Sequence, residues 1–91
     1  MEKLRACIVG IGFVGGAHIE ALRRIGNVEI SAVCTRENAQ QTADAYGIPR
    51  GYEDYQQMLE KEKPDAVHIC TPNDSHYALA MRAMQRGIAV V

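Results

Sequence analysis

The sequence predicts an α/β fold, a doubly wound parallel sheet of about four to five strands with helices on both faces. Two kinds of segment in the sequence predict this fold. Short apolar runs bounded by glycine or proline alternate along the chain with longer stretches whose apolar residues recur every three or four positions. This alternation is typical of strand–helix–strand units, whose right-handed crossovers place the strands parallel to one another in one sheet.

The first strand and the first helix have clear boundaries. Leu4–Val9 is a short apolar run closed by Gly10, as expected for a buried strand. Val14–Ile25 follows, with apolar residues on one side at helical spacing. The pair Gly26–Asn27 ends this helix, because both residue types tolerate a positive φ.

The second strand, Val28–Cys34, has a weaker signal than the first. It alternates two sets of residues at a period of two, Ile30, Ala32 and Cys34 against Glu29, Ser31 and Val33. The segment Glu37–Tyr46 is predicted as the second helix, since an acidic residue is favourable in its first turn. Gly47 is the expected end of that helix, and a proline follows two residues later.

The rest of the chain repeats the alternation in shorter elements. Arg50–Tyr52 is long enough for only a very short strand, and Lys61–Asp65 is predicted as a charged surface loop. The remaining predicted elements are a short helix Asp54–Glu60, a buried strand Ala66–Cys70, a helix capped by Asp74 or Ser75 that runs to Arg86, and a strand Ile88–Val91.

Length and composition exclude several classes of protein. The chain has 91 residues, 47% of them hydrophobic and 23% charged, with a formal net charge of −1. That length fits one small domain, and a nearly neutral chain has no electrostatic basis for binding nucleic acid or an anionic membrane. No apolar run approaches the roughly 18 residues of a membrane span. We expect one domain without nucleic-acid or membrane partners.

The cysteines indicate neither a disulfide framework nor a metal site. Cys7, Cys34 and Cys70 are odd in number and widely spaced, and no Cys-x-x-Cys occurs. We expect buried, reduced thiols, which suit a cytoplasmic protein. His18 is predicted to be packed or solvent-facing, and His68 to be a core histidine.

A glycine-rich hexapeptide, Gly10-Ile11-Gly12-Phe13-Val14-Gly15, links the first strand to the first helix. In this position Gly10 permits the tight turn, Gly12 lets the backbone approach a pyrophosphate, and Gly15 lets the helix pack close to the sheet. The free N–H groups and the dipole at the helix N-terminus then hold the anion. The alternatives are a glycine turn without a ligand and a methyltransferase-type loop, which usually reads G-x-G-x-G.

The end of the second strand bears on which dinucleotide binds. A carboxylate often stands about 20 residues after the glycines to accept from a ribose 2′-OH. Here that place holds Thr35 and Arg36, and the nearest carboxylate is Glu37. Thr35 can donate to a 2′-phosphate and Arg36 can pair with it. The pattern favours NADP over NAD, and the alternative is that Arg36 is a solvated residue at a helix start.

The segment Thr71-Pro72-Asn73 follows the fourth strand, at the edge where ligands of open α/β sheets bind. Pro72 stiffens the turn, and Asn73 offers both a donor and an acceptor. The alternative is that Asn73 and the two residues after it only form a turn and a helix cap. His76 is either within reach of the same site or part of the cap region.

Taken together, these motifs resemble the cofactor domain of the Gfo/Idh/MocA family, the glucose–fructose oxidoreductase and inositol dehydrogenase type. The T-P-N-x-x-H element is much more specific than the glycines alone, and the resemblance covers essentially all 91 residues. It rests on Ile8–Gly15 with His18, Ala32–Arg36, Ile69–Asn73 with His76, and Ala83 with Gly87. Such enzymes have a Rossmann-type N-terminal domain and a C-terminal α/β domain with a large open sheet. They oxidise or reduce a carbinol of a sugar, cyclitol or similar compound with NAD(P).

The resemblance also implies roles for single residues. The pyrophosphate would be lined by Gly10, Gly12, Phe13, Val14 and Gly15, the adenosine ribose by Thr35 and Arg36, and the nicotinamide half by Thr71, Pro72, Asn73 and His76. The family usually carries Glu-Lys-Pro just after the strand that begins here at Ile88, and its Lys contributes to catalysis. Because the sequence stops at Val91, no catalytic residue is assigned to it.

We therefore expect residues 1–91 to be the N-terminal portion of a Rossmann-type dinucleotide-binding domain, without the C-terminal substrate domain. The expected cofactor is NADP, with NAD as the alternative. The expected parent is an oxidoreductase acting on a sugar, cyclitol or related carbinol, and the chain alone is not expected to catalyse. The alternatives are a stand-alone sensor or scaffold module and a remnant that only oligomerises. A homo-oligomer is expected, because the edge at Ile88–Val91 is unpaired and Met81 and Met84 add apolar surface.

Overall fold

The computed structural model describes residues 4–10, 12–70 and 73–90, and along 12–18 and 73–76 it describes only the course of the helix. Strands and helices alternate without exception along these residues. In chain order the elements are β1 (Leu4–Val9), α1 (Gly12–Ile25), β2 (Val28–Cys34), α2 (Ala39–Ala45), β3 (Arg50–Tyr52), α3 (Tyr55–Glu62), β4 (Ala66–Ile69), α4 (Asn73–Gln85) and β5 (Ala89–Val90).

The five strands form one parallel sheet in the order β3-β2-β1-β4-β5. The chain starts at the centre of the sheet, builds outward to β3, then crosses back to the other side of β1 and builds outward to β5. The strand order therefore reverses between β1 and β4. This confirms the predicted doubly wound parallel sheet, and it marks the crevice in which ligands of such folds bind.

Helices cover both faces of the sheet. One buried cluster joins the sheet to α3 and α4, through Tyr55, Met58, Leu59 and Ala83. The other joins the opposite face to α1 and α2, through Ile19, Leu22 and Ala43. Because β1 and β2 contribute side chains to both clusters, these two central strands separate the two cores.

A register shift in β2 changes the faces that its residues occupy. Ala6 pairs with Ile30 but Cys7 pairs with Ala32, so Ser31 is an extra residue in the strand. Ile30 and Val33 consequently pack on the α1 and α2 side, while Ala32 packs on the other. The prediction that Ile30 and Ala32 share one face was wrong, because sequence alternation does not show a bulge.

Several helix boundaries differ from their predictions, and the first helix begins at Gly12 rather than at Val14. The second helix begins at Ala39 rather than at Glu37, because Asn38 adopts a left-handed conformation with φ 56° and ψ 39°. The third helix continues to Glu62, so the prediction of a surface loop over Lys61–Asp65 was wrong for its first two residues. Lys63, with φ 46°, is where that helix ends.

Glu62 is only 2% exposed and forms the centre of a polar network. It accepts hydrogen bonds from Arg5 Nη2 at 3.0 Å, Arg50 Nε at 2.5 Å, Arg50 Nη2 at 2.9 Å and the Tyr52 hydroxyl at 2.7 Å. Burial raises the pKa of the Glu62 carboxyl, but hydrogen bonds from Arg50, Tyr52 and Ser31 outweigh burial and lower it to about 2. One ionised carboxylate thus ties α3 to β1, β2 and β3.

Other boundaries agree closely with the sequence. The first two strands and the short third strand have the predicted bounds. The fourth strand ends at Ile69, and α4 begins at Asn73 instead of after Asp74 or Ser75. The predicted pairing of the last strand with Ala66–Cys70 is confirmed by the register Ala66 to Ala89 and Val67 to Val90. Val91 lies outside the described residues.

Candidate functional site

Backbone hydrogen bonds hold the carboxyl ends of four strands side by side. Gly10 N donates to Cys34 O at 2.8 Å, joining the segment after β1 to the end of β2. Cys70 N donates to Val9 O at 2.8 Å, joining the segment after β4 to the end of β1. Thr35 N donates to Tyr52 O at 3.0 Å on the outer side. The segments that carry the predicted site residues therefore leave the sheet together, around the crevice between β1 and β4.

Gly10, which follows β1 directly, has a backbone conformation that glycine favours. Gly10 has φ 73°, a left-handed conformation that glycine adopts without strain. Helix α1 begins at Gly12, only three residues after the strand ends, and runs for 14 residues. Its first turn holds Phe13, Val14 and Gly15, so the free N–H groups and the positive end of the helix dipole lie at the carboxyl edge.

The segment after β2 forms a compact turn with Arg36 at its tip. The Thr35 hydroxyl donates to the backbone oxygen of Glu37 at 2.8 Å and thereby spans Arg36. Thr35 is half-buried, whereas Arg36 and Glu37 are exposed. Among the described residues no carboxylate lies within ion-pair distance of the Arg36 guanidinium. Arg36 is thus presented to solvent beside the glycine turn.

Two residues that sequence reasoning missed fix the far side of this turn. Asn38 reverses the chain with its left-handed conformation, and its backbone oxygen accepts from Thr42 N at 2.9 Å. The Glu53 carboxylate, just after β3, accepts from Ala39 N at 3.5 Å. The tolerance of asparagine for positive φ was a usable signal for Asn38. Glu53 is 14 positions from its partner, so no local pattern could have indicated it.

The predicted site residues after β4 are described less fully. Thr71 and Pro72 lie outside the described residues, as do the side chains of Asn73 and His76. The backbone places Asn73 at the start of α4 and His76 in its first turn. Because Cys70 N is hydrogen-bonded to Val9 O, β4 ends at the same edge of the sheet as β1, and α4 begins at Asn73. His68 is 8% exposed, which confirms it as a core histidine.

The thiols near the carboxyl edge are unsuited to nucleophilic chemistry. Cys34 is 6% exposed, and burial raises its pKa to about 11. Burial likewise raises the pKa of Cys7 to about 11 and that of Cys70 above its ordinary value. Cys7 and Cys34 are buried thiols, as predicted, whereas Cys70 is only half-buried. Thiols that stay protonated at neutral pH are poor nucleophiles, so these cysteines do not suggest a catalytic role.

Within residues 4–10, 12–70 and 73–90, no three His, Cys, Asp or Glu side chains converge in a way that could hold a metal ion. None of the helices in this part of the chain has the length and apolar character needed to cross a membrane.

The sheet order, the glycine turn and the helix that starts beside it are those of a dinucleotide-binding fold. A family model described as an oxidoreductase family with an NAD-binding Rossmann fold, GFO_IDH_MocA, matches residues 4–91. The chain belongs to the Gfo/Idh/MocA family. The resemblance read from the sequence is thereby confirmed, and this Gfo/Idh/MocA chain is an NAD-binding Rossmann domain by family and by fold.

Individual relatives agree with the family assignment. The D-apiose dehydrogenase of Paraburkholderia graminis is 34% identical over 93 residues, which cover 100% of this chain and 25% of that protein. The myo-inositol 2-dehydrogenase structure from Lactobacillus plantarum superposes with a TM-score of 0.88 at 29% identity, over 98% of this chain and 27% of that one. The WlbA dehydrogenase of Bordetella pertussis, solved with NADH and UDP-GlcNAcA, gives 0.89 at 28% identity, over 98% and 28%. The chain spans about a quarter of the length of these relatives.

Proposed function

We propose that this Gfo/Idh/MocA chain binds NADP(H) at the carboxyl edge of its sheet, as the cofactor-binding portion of an oxidoreductase for a sugar, cyclitol or related carbinol. The observation that carries the choice of NADP is the exposed Arg36 on the turn after β2, where a ribose-binding carboxylate would otherwise stand. An arginine there attracts a 2′-phosphate, whereas a carboxylate repels it.

The residues present fit such a cofactor. The left-handed Gly10 and the start of α1 at Gly12 form the kind of turn that receives a pyrophosphate, together with Phe13, Val14 and Gly15. Thr35 and Arg36 would serve the adenosine ribose and its phosphate. Thr71, Pro72, Asn73 and His76 would border the nicotinamide half, and a bound nicotinamide carries the hydride that the reaction transfers.

The relatives support the proposed class of substrate. Their names specify D-apiose and myo-inositol, a sugar and a cyclitol. Hydride transfer requires a substrate held against the nicotinamide and a proton acceptor within reach. We therefore expect the 91-residue chain by itself to bind cofactor without dehydrogenase turnover. A rate with a polyol substrate above that of a Gly12→Asp variant would contradict this expectation. We also propose a cytoplasmic location, in keeping with three cysteines that form no disulfide with one another.

The competing function is binding of NAD, which the NADH complex of the WlbA dehydrogenase favours. Dissociation constants of the 91-residue chain for NADPH and NADH, measured by fluorescence or calorimetry, decide between the two cofactors. We expect tighter binding of NADPH in the wild type. The Arg36→Ala variant should lose about 1.5–3 kcal/mol toward NADPH, about ten- to 150-fold in Kd, because a charge-assisted hydrogen bond is removed. Its affinity for NADH should not change.

A matched control separates this local effect from a change in net charge. Arg24 is an exposed residue in the last turn of α1, at the end of that helix away from the glycine turn. Arg24→Ala removes the same charge and should leave both dissociation constants unchanged. Tighter binding of NADH by the wild type, or equal losses for the two cofactors in Arg36→Ala, would refute the assignment of NADP.

A further inference from the structure

We propose that Thr35 is a positioning residue for NADP selectivity, acting through Arg36 rather than on the phosphate. The inference rests on the proposed function and changes the role that the sequence suggests for this threonine. The sequence favours Thr35 as a donor to a 2′-phosphate. A threonine hydroxyl has a single hydrogen to donate, and in the structure that hydrogen goes to the backbone oxygen of Glu37 at 2.8 Å.

The Thr35 hydroxyl cannot donate to Glu37 O and to a phosphate at the same time. Its remaining lone pairs can only accept, and the oxygens of a phosphate dianion are themselves acceptors. A phosphate therefore gains no hydrogen bond from Thr35 while the bond to Glu37 O is present. The guanidinium of Arg36, by contrast, carries donors that a phosphate can accept from, and this exposed side chain lies in the same turn.

The hydrogen bonds around the turn explain how Thr35 acts on Arg36. Thr35 N is bonded to Tyr52 O at 3.0 Å, so the start of the turn is fixed to β3. The hydroxyl bond to Glu37 O closes the loop across Arg36. The left-handed Asn38 and the contact between the Glu53 carboxylate and Ala39 N fix its far end. Arg36 is thus displayed from a closed three-residue turn, and opening that turn frees its backbone to sample other directions.

The side chain of Thr35 is the part of this arrangement that a substitution can remove alone. Thr35→Val keeps the shape and β-branching but lacks the donor, whereas Thr35→Ser keeps the donor. Glu37 is exposed, so water can replace the lost hydrogen bond and the fold is not left with a buried unsatisfied group. The matched control is Thr42→Val, which makes the same change at a half-buried position inside α2.

The test is a double-mutant cycle on the 91-residue chain, read as dissociation constants for NADPH and NADH. We expect Thr35→Val to raise the dissociation constant for NADPH roughly three- to tenfold, which corresponds to the loss of one ordinary hydrogen bond. The dissociation constant for NADH should not change. Thr35→Ser and Thr42→Val should match the wild type. In the Arg36→Ala background, Thr35→Val should cause no further loss, because the group through which Thr35 acts is already absent.

Other outcomes overturn the inference in distinguishable ways. If Thr35→Val weakens NADPH binding equally in the wild-type and Arg36→Ala backgrounds, Thr35 contacts the phosphate itself. If the substitution weakens the binding of NADPH and NADH equally, Thr35 only supports the fold. If NADPH binding is not weakened at all, the presentation of Arg36 does not depend on the hydrogen bond that closes the turn. If Arg36→Ala alone leaves the ratio of the two affinities unchanged, the proposed function fails and not merely this inference.

Discussion

At the scale of single residues, Gly51 shows how closely α2 lies on the edge of the sheet. A Cβ at this position would stand 2.2 Å from Ala39 O, 2.3 Å from Ala39 C and 2.6 Å from Gln40 N. All three atoms belong to the backbone at the start of α2, so no side-chain rotation relieves the overlap. Gly51 N also donates to Gln40 Oε1 at 3.1 Å, which closes the outer side of β3 at that point.

The first prediction follows from this contact. Gly51→Ala must move the start of α2 away from β3, and we expect a loss of unfolding free energy of about 2–3 kcal/mol, the upper part of the range for overpacking a tight contact. Gly26→Ala is the control, because Gly26 has φ 85° but open space around it. Its cost is left-handed strain alone, about 1–2 kcal/mol. Urea unfolding curves measure both, and a Gly51→Ala variant as stable as the wild type would contradict the close packing.

The residues of the site differ in how well the sequence predicted them. Gly10 was predictable, because a turn from a strand directly into a helix needs a positive φ and the motif records that need locally. The presentation of Arg36 by a closed turn was not. It depends on whether the Thr35 hydroxyl donates to the backbone oxygen of Glu37 or to a phosphate. It also depends on Glu53, just after β3, which the fold brings next to Ala39.

At the scale of elements, the Glu62 network is the main polar link between α3 and the sheet. Sequence reasoning placed Glu62 in a charged loop, because a run of lysine and glutamate before a proline is typical of a solvated segment. The partners that make its burial favourable, Arg5 and Arg50, are 57 and 12 positions away. Neither contact leaves a local pattern, so only the three-dimensional structure reveals the buried carboxylate.

The second prediction compares two glutamates of the same helix. Glu62→Gln removes the charge that Arg5 and Arg50 share, and we expect a loss of about 1–3 kcal/mol, since the two arginines are partly exposed and can turn to water. Glu60→Gln is the control. The Glu60 side chain is 58% exposed and meets Arg86 at 3.3 Å, so its change should stay below about 1 kcal/mol. Equal losses for the two variants would show that the buried network adds nothing beyond a surface ion pair.

The third prediction concerns acid stability. The pKa of Glu62 is lowered from 4.5 to about 2 in the folded chain, so the unfolded chain binds a proton at Glu62 more readily. The resulting stabilisation is fully present above about pH 5, and it is lost as the pH falls from about 4.5 toward 2. We expect the wild-type melting temperature to drop across this window more steeply than that of Glu62→Gln. Parallel melting curves for the two proteins between pH 5 and pH 2 would contradict the lowered pKa.

At the scale of the whole molecule, the two edges of the sheet differ in protection. At the β3 edge the Gln40 side chain accepts from Gly51 N and α2 packs closely alongside. At the other edge, β5 consists of two residues paired only with β4 among the described strands. Near it, α4 exposes Tyr77 (74%) and Met84 (55%), which lie seven residues apart and hence on one side of the helix. In the part of the chain that the structure describes, the β3 edge is therefore the more protected and the β5 edge the more open.

The fourth prediction is that two copies of the chain associate through the open edge or the adjoining side of α4. An unpaired strand edge and exposed apolar side chains favour such association, and a domain of this size gains stability from it. Light scattering at micromolar concentration should give twice the 10.0 kDa chain mass. Met84→Lys should give monomers, whereas Ile25→Lys, at a comparably exposed residue of α1, should not. A folded wild-type monomer would end the proposal.

The overall architecture was the most predictable level. The spacing of apolar residues predicts most of the strands and helices, and right-handed crossovers leave few ways to assemble them into a sheet. The pairing of the last strand with Ala66–Cys70 was predicted in this way, whereas the full order β3-β2-β1-β4-β5 comes from the structure. The register shift in β2 was not predictable, because the sequence around Ser31 reads as an unbroken alternation.

The extra residue Ser31 lets the two halves of β2 pack on different faces. Ile30 and Cys34 are four residues apart and would share a face in a regular strand, but Ile30 packs toward α1 and α2 while Cys34 packs toward α3 and α4. Pairing with β1 fixes the face on each side of the bulge, since Ala6 pairs with Ile30 and Val9 pairs with Cys34. Deletion of Ser31 would therefore keep both the ladder and the direction in which the chain enters the Arg36 turn. The two halves of β2 thus each follow their own alternation, and the direction of the Arg36 turn depends on the pairing of Cys34 with Val9.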